Sequence, residues 1–201
     1  MLTARIAVLV SGGGTNLQAL IDAQGGVIKS GKIELVISNN ADAYALQRAA
    51  NAGIKTVVVS KKELGSELFE EKLIETLEEN NIDMIILAGF MCILSENFTK
   101  RYPKRIINVH PSLIPSFCGE GFYGLRVHEA ALKYGVKVTG ATVHFVNEIP
   151  DGGEIILQRA VEIRDGDTPE ILQKRVMEQA EWHLLPQAAE LVSKKIVEER
   201  G

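Results

Sequence analysis

The chain predicts an α/β fold in which a mostly parallel sheet carries helices on both faces. Three observations lead there. Short β-like runs alternate with amphipathic stretches through the first half of the 201 residues, the pattern of right-handed βαβ units. Ile85, Ile86 and Leu87 follow one another without polar alternation, as in a central strand covered on both sides. A hydrophobic content of 46% suffices for one substantial core, so the length fits a single domain over residues 1–201.

The elements follow in order. Strands are expected at 5–10, 33–37, 55–59, 84–88 and 105–109, with helices from about Asn16, Ala43 and Ser66 between the first four. After the glycine-rich loop 116–124, residues 125–134 read as a helix that Gly135 caps. Residues 137–146 and 154–163 predict two more strands. Their connection, Asn147-Glu148-Ile149-Pro150-Asp151-Gly152-Gly153, is too long for a tight hairpin and rich in turn residues, so it should be ordered and functional. A last helix starts at Thr168, with Pro169 in the first helical position and Glu170 in the first turn. It is expected to reach Val197, with a bend near Pro186.

Composition narrows the function. The formal net charge is -4, with Lys and Arg scattered among Asp and Glu, so no basic footprint for a nucleic acid is present. The apolar runs are far shorter than the roughly 20 residues that span a bilayer, and no signal peptide is evident. Cys92 and Cys118, the two cysteines, make neither a disulfide framework nor a zinc site. A cytoplasmic enzyme acting on small molecules is the expectation.

Ile106-Ile107-Asn108-Val109-His110-Pro111-Ser112-Leu113-Ile114-Pro115 is the most telling stretch. Asn108 and His110 stand two residues apart and so share one side of a strand, which Pro111 should end. They can act together on one small substrate group; equally, Asn108 could cap a turn and His110 be a hydrogen-bonded strand end. Ser11-Gly12-Gly13-Gly14-Thr15-Asn16, between the first strand and helix, suits a single phosphate at a helix N-terminus. It lacks the Gly-Lys-Ser/Thr ending of a Walker loop and the last glycine of a dinucleotide fingerprint. The alternative is a glycine turn required by strand-to-helix geometry alone. Asp151, between Pro150 and Gly152-Gly153, is the acid expected near His110, where a carboxylate would raise the imidazole pKa; an Asp-Gly turn is the other reading. His144 is a supporting candidate within a strand. His128 and His183 are read as surface helix residues, and Cys118 as an unreactive loop thiol.

Taken together, Val8 to Ala19, Leu87-Ala88-Gly89-Phe90-Met91-Cys92-Ile93-Leu94, the Asn108 to Pro115 stretch, and Val143-His144-Phe145-Val146 leading to Asp151-Gly152-Gly153 resemble the folate-dependent phosphoribosylglycinamide formyltransferases. The resemblance covers almost the whole chain. It implies a Rossmann-like formyltransferase fold, with a nucleotide-binding half at 1–100 and a catalytic and folate-binding half at 101–201. It implies two substrates, phosphoribosylglycinamide and 10-formyltetrahydrofolate, with no metal, and it sets no oligomeric state. Carried over by residue, Asn108, His110 and Asp151 are catalytic, while Gly14, Thr15, Asn16 and Glu181 hold the glycinamide ribonucleotide. Met91, Cys92, Ile93 and Leu94 would line the folate site with Asn108 and the loop Asn147, Glu148, Ile149, Pro150 and Asp151. The resemblance further implies that Asn108 and a His110 kept protonated by Asp151 stabilise an oxyanion. Four features depart from the family. Cys92 stands where many relatives have Arg, Leu64-Gly65-Ser66 lacks an Arg used against folate, the helix bearing Glu181 has a longer spacing, and the loop Phe117 to Gly124 is longer than the compact form elsewhere. Formyltetrahydrofolate deformylases, methionyl-tRNA formyltransferases and a non-catalytic phosphate- or folate-binding module are the rival readings.

Overall fold

The computed structural model describes residues 2–201. Five strands run parallel: β1 (Ala4–Val10), β2 (Gly31–Ser38), β3 (Lys55–Val58), β4 (Met84–Leu87) and β5 (Ile106–His110). Two more, β6 (Val138–Phe145) and β7 (Ile155–Glu162), are antiparallel to their neighbours, and the sheet order is β3-β2-β1-β4-β5-β6-β7. The fold class expected from the sequence is therefore the one observed. Strand order reverses between β1 and β4, and open α/β sheets bind ligands outside the carboxyl ends of strands at such a point.

The helices are α1 (Thr15–Asp22), α2 (Tyr44–Asn51), α3 (Lys61–Leu64), α4 (Ser66–Glu79), α5 (Glu96–Arg101), α6 (Leu125–Tyr134), α7 (Pro169–Val176) and α8 (Trp182–Glu198). The short α3 and α5 are additions to the expected set. Ser95 starts α5 by accepting a hydrogen bond from the Phe98 amide, an N-cap with a clear physical basis. Thr168 does the same for α7 through the Ile171 amide, and Gly135 closes α6 in the left-handed conformation, both as expected. Among the described residues, no helix is long and apolar enough to cross a membrane.

The two-residue period of the strands sorts side chains into two cores. Ile6, Val8 and Val10 of β1, Met84 and Ile86 of β4, and Ile107 and Val109 of β5 pack with α1, α2, α7 and α8. Ala7 and Leu9, Ile85 and Leu87, and Ile106 pack on the other face with Phe69, Leu73 and Leu77 of α4 and Phe98 of α5. Ile85, Ile86 and Leu87 are thus buried on both sides, which is why that strand lacks alternation.

Two expectations are corrected. The irregularity in the last helix falls at a π-turn, Met177–Glu181, and Pro186 sits inside α8. A proline there gives up only the bond to the Trp182 carbonyl four residues earlier, so the helix continues. His128 is not on the surface: it is fully buried in α6, and burial with the nearby His110 lowers its pKa to about 4.

Gly153 lets the connection after β6 fold back, because a Cβ at that position would collide with the Phe145 carbonyl. Gly153→Ala should destabilise the protein by about 2 kcal/mol and lower its Tm by roughly 5 °C. An unchanged thermal midpoint would show that this approach is not constrained.

Candidate active site

Asn108 and His110 leave β5 on the side of Ile106, opposite Ile107 and Val109. On the adjacent β6 their partners are His144 and Thr142. The α4–α5 core reaches Ile106 on this face, and beyond it a cleft of about 750 Å³ opens, lined by Asn108, His110 and His144. The same cleft takes in Asn16, Glu181, residues 91–94 and residues 147–151. Most of the residues expected to act together are therefore neighbours. Gly14 and Thr15 are not on its wall; Thr15 faces an adjoining cleft of about 430 Å³ with Gln18, Arg48 and Trp182.

Asp151 stands between two imidazoles. Its Oδ2 is 3.4 Å from His110 Nδ1, and its Oδ1 is 3.5 Å from His144 Nε2. The Gly119 amide donates to Oδ2 at 2.9 Å, which pins the glycine-rich loop to the acid. Asp151 holds a φ of 56°, a left-handed conformation that Asp tolerates better than most residues. The far nitrogen of each ring meets a backbone carbonyl: His110 Nε2 donates to Phe117 O at 2.9 Å, and His144 Nδ1 to Phe145 O at 2.8 Å. His144 Nε2 also lies 3.2 Å from Asn108 Nδ2.

The charge balance corrects one expectation. Burial pushes the His110 pKa below the ordinary histidine value and outweighs the upward pulls of Asp151 and the Phe117 carbonyl; His144 adds a downward push. The carboxylate does favour the charged ring, as expected, yet the net direction is toward neutral imidazole. Burial would also push the Asp151 carboxyl up, but its contact with His144, the His110 ring and the Gly119 amide together hold it below the usual value. Burial and the same carboxylate push the Cys118 thiol up, which disfavours a thiolate nucleophile.

The glycine-rich loop is braced from behind. Gly14, at φ 72°, precedes α1, and a Cβ there would lie 2.6 Å from that of Ala45. The Ala45 amide donates to Gly12 O at 3.0 Å, and Arg48 Nε donates to Gly13 O at 2.8 Å. Ser11 Oγ accepts from the Met91 amide at 2.8 Å, tying this loop to the 91–94 wall. Met91, Ile93 and Ile149 expose apolar side chains around the cleft, a surface suited to one face of a flat ring system. Cys92 does not face a charge here; its sulfur accepts from Asn39 Nδ2 at 3.0 Å.

Glu181 ends the π-turn, with its carboxylate accepting from Asn16 Nδ2 at 2.7 Å. A π-turn spends one residue more than an α-turn. Asn16 Oδ1 is buried without a partner, so the pair retains an acceptor for a ligand donor. Burial pushes the Glu181 pKa up to about 7 against the opposing pull of Asn16.

Sequence reasoning missed Thr142 and Gly119, and the contact of Ser11 with Met91. Thr142 donates to Ser112 O at 2.7 Å and accepts from the Ile114 amide, holding the segment after β5. Its two-residue spacing from His144 was the available signal. The Ser11 and Gly119 contacts join distant segments and leave no local pattern.

Residues 4–189 match the family described as Formyl transferase, and the chain belongs to that family. It is 45% identical to the trifunctional purine biosynthetic protein adenosine-3 of Gallus gallus, over 96% of this chain and 19% of that protein. The chain thus spans about a fifth of such multifunctional relatives. With the phosphoribosylglycinamide formyltransferase of Haemophilus influenzae it shares 43% identity, over 90% of this chain and 84% of that protein. The crystal structure of glycinamide ribonucleotide transformylase 1 from Symbiobacterium toebii superposes with a TM-score of 0.89 at 41% identity, covering 96% of this chain and 89% of the other.

A carboxyl whose folded-state pKa is raised from 4.5 to about 7 contributes stability below pH 4.5 that is lost as pH rises through 7. Glu181→Gln should remove that loss, becoming more stable than the parent above neutral pH by on the order of 3 kcal/mol, at about 1.4 kcal/mol per pH unit. Denaturant unfolding at acid and alkaline pH checks this; a stability difference that stays constant with pH would refute it.

Proposed function

We propose that this protein transfers the formyl group of 10-formyltetrahydrofolate to the amine of phosphoribosylglycinamide, in de novo purine (IMP) biosynthesis in the cytoplasm. The observation that carries the reading is the convergence of Asn108, His110 and Asp151 in one cleft with Asn16, Glu181 and an apolar wall. In this reading residues 1–100 hold the nucleotide, and residues 101–201 carry the catalytic trio and the folate loop. Glu181 and residues 91–94 cross between the halves.

The substrate phosphate lies against the amides that open α1, where the helix dipole is positive. Glu181 and the free acceptor of Asn16 take hydroxyl donors of the nucleotide. The pterin ring lies between the exposed side chains of Met91, Ile93 and Ile149 and hydrogen-bonds the backbone of the 147–151 loop. This sets the amine and the formyl carbon together at the mouth of β5, the positional gain of a two-substrate site.

Attack by the amine turns the formyl oxygen into an oxyanion, which needs donors already in place. Asn108 supplies an amide N–H. His110 supplies Nε2–H, with the formyl oxygen taking the place of the Phe117 carbonyl as acceptor. Burial lowers the His110 pKa, but the nascent oxyanion and the Asp151 carboxylate flank the ring during reaction, and both favour imidazolium. The nitrogen–carbon bond to the folate then breaks as the carbonyl re-forms. The proton lost by the attacking amine passes to the departing folate nitrogen, with Asp151 positioned to relay it.

His110→Ala and Asp151→Ala should each lower turnover by about 100-fold or more, the usual scale for such groups. Tetrahydrofolate release from 10-formyltetrahydrofolate, followed with and without phosphoribosylglycinamide, checks both the variants and the reaction. Release that needs no amine would make the protein a deformylase. Absence of release would make it a binding module, and undiminished turnover in either variant would remove that residue from the chemistry.

A further inference from the structure

His144 Nε2 faces two groups with opposite requirements. Asn108 Nδ2, 3.2 Å away, is a donor and calls for a lone pair. Asp151 Oδ1, 3.5 Å away, only accepts and calls for a proton. One nitrogen cannot meet both. The other ring nitrogen has no such choice: Nδ1 lies 2.8 Å from the Phe145 carbonyl and must carry a hydrogen, since a carbonyl oxygen cannot donate. A neutral ring with Nδ1–H leaves Nε2 bare, and a second proton would make the ring an imidazolium.

We infer that His144 is a positioning residue for formyl transfer: as the neutral Nδ1–H tautomer it accepts one hydrogen of the Asn108 amide and so aims the other at the formyl oxygen. The inference rests on the transfer reaction proposed above. It follows from the shorter of the two contacts, 3.2 Å against 3.5 Å; the Asp151 carboxylate pulls the other way, toward a proton on Nε2. The tautomer is fixed by the backbone of the next residue in the same strand, in a ring that is 2% exposed. No substrate is needed to set it.

A proton on Nε2 would undo the arrangement. The ring could then only donate, so the two isosteric ends of the Asn108 amide would exchange places. Oδ1, an acceptor, would then stand where the N–H had pointed, repelling the oxygen it is meant to stabilise. Asp151 on the β6–β7 connection and His110 on β5 are the titratable groups facing this ring. Because one carboxylate stands between two imidazoles, a proton drawn to it must reside on His110 for Asn108 to remain a donor. Asn108 thereby registers which histidine carries the charge.

The ring can be read directly by 15N NMR of the ligand-free protein, without reference to catalysis. At neutral pH, Nδ1 should be protonated and Nε2 bare; a protonated Nε2 would overturn the inference. In kinetics, His144→Ala should lower kcat by about 100-fold with both KM values held. His144→Gln, whose side-chain carbonyl can accept from Asn108, should stay within about tenfold of the parent. Equal losses in the two variants would overturn it. If the parent itself transfers no formyl group, the reaction reading fails instead, and the NMR result still decides the tautomer.

Discussion

A β-strand has two sides, and the whole molecule is arranged around how those sides are covered. Through β1, β2 and β4 both are dry, each packed by its own set of helices. At β5 one side stays packed while the other runs out from under α5, and the side chains there change from Ile106 to Asn108 and His110. The site exists because polar groups occupy the alternate positions on the one face that hydrophobic packing leaves open. Had the register of β5 slipped by one residue, the side chains of Asn108 and His110 would lie in the α8-side core.

Within the cleft the dominant fact is a buried acid shared by two imidazoles. A carboxylate in that position favours a charged ring on either side, yet it cannot satisfy two charged ones equally, because the histidines disfavour each other's charge. Backbone carbonyls at Phe117 and Phe145 take one nitrogen of each ring, so the rings are oriented before any substrate arrives. Preorganisation of this kind avoids reorienting donors during the reaction. The Gly119 amide extends the same order to the glycine-rich loop, which is anchored on the acid rather than floating above it.

Much of this was legible in the chain. The βαβ alternation gave the parallel sheet, the unbroken Ile85-Ile86-Leu87 run marked its centre, and the two-residue spacing at Asn108 and His110 placed them side by side. Short-range signals of this kind survive folding because they depend on strand and helix periods. What was not legible depends on long-range packing. His128 sits on a helix between Val127 and Glu129, and only the closing of α6 against the body of the protein buries it. The pKa of His110 followed the same rule: its partner carboxylate could be guessed from sequence, but the depth of burial that outweighs it could not. Family resemblance located Glu181, and the structure supplied its partner, Asn16, 165 residues away.

The π-turn at Met177–Glu181 also keeps the phase of the helical tail. In an α-helix each residue advances by about 100°, so one residue added to an unbroken helix would turn everything after it by that angle. Leu184, Leu185, Ala188, Val192 and Ile196, all buried, would then swing away from the sheet. A single wide turn takes up the additional residue, returns α8 to the facing that α7 began, and leaves its own last residue, an acid, pointing into the cleft. The chain gains a carboxylate for its site at a point where simple helical repetition would have cost it a core.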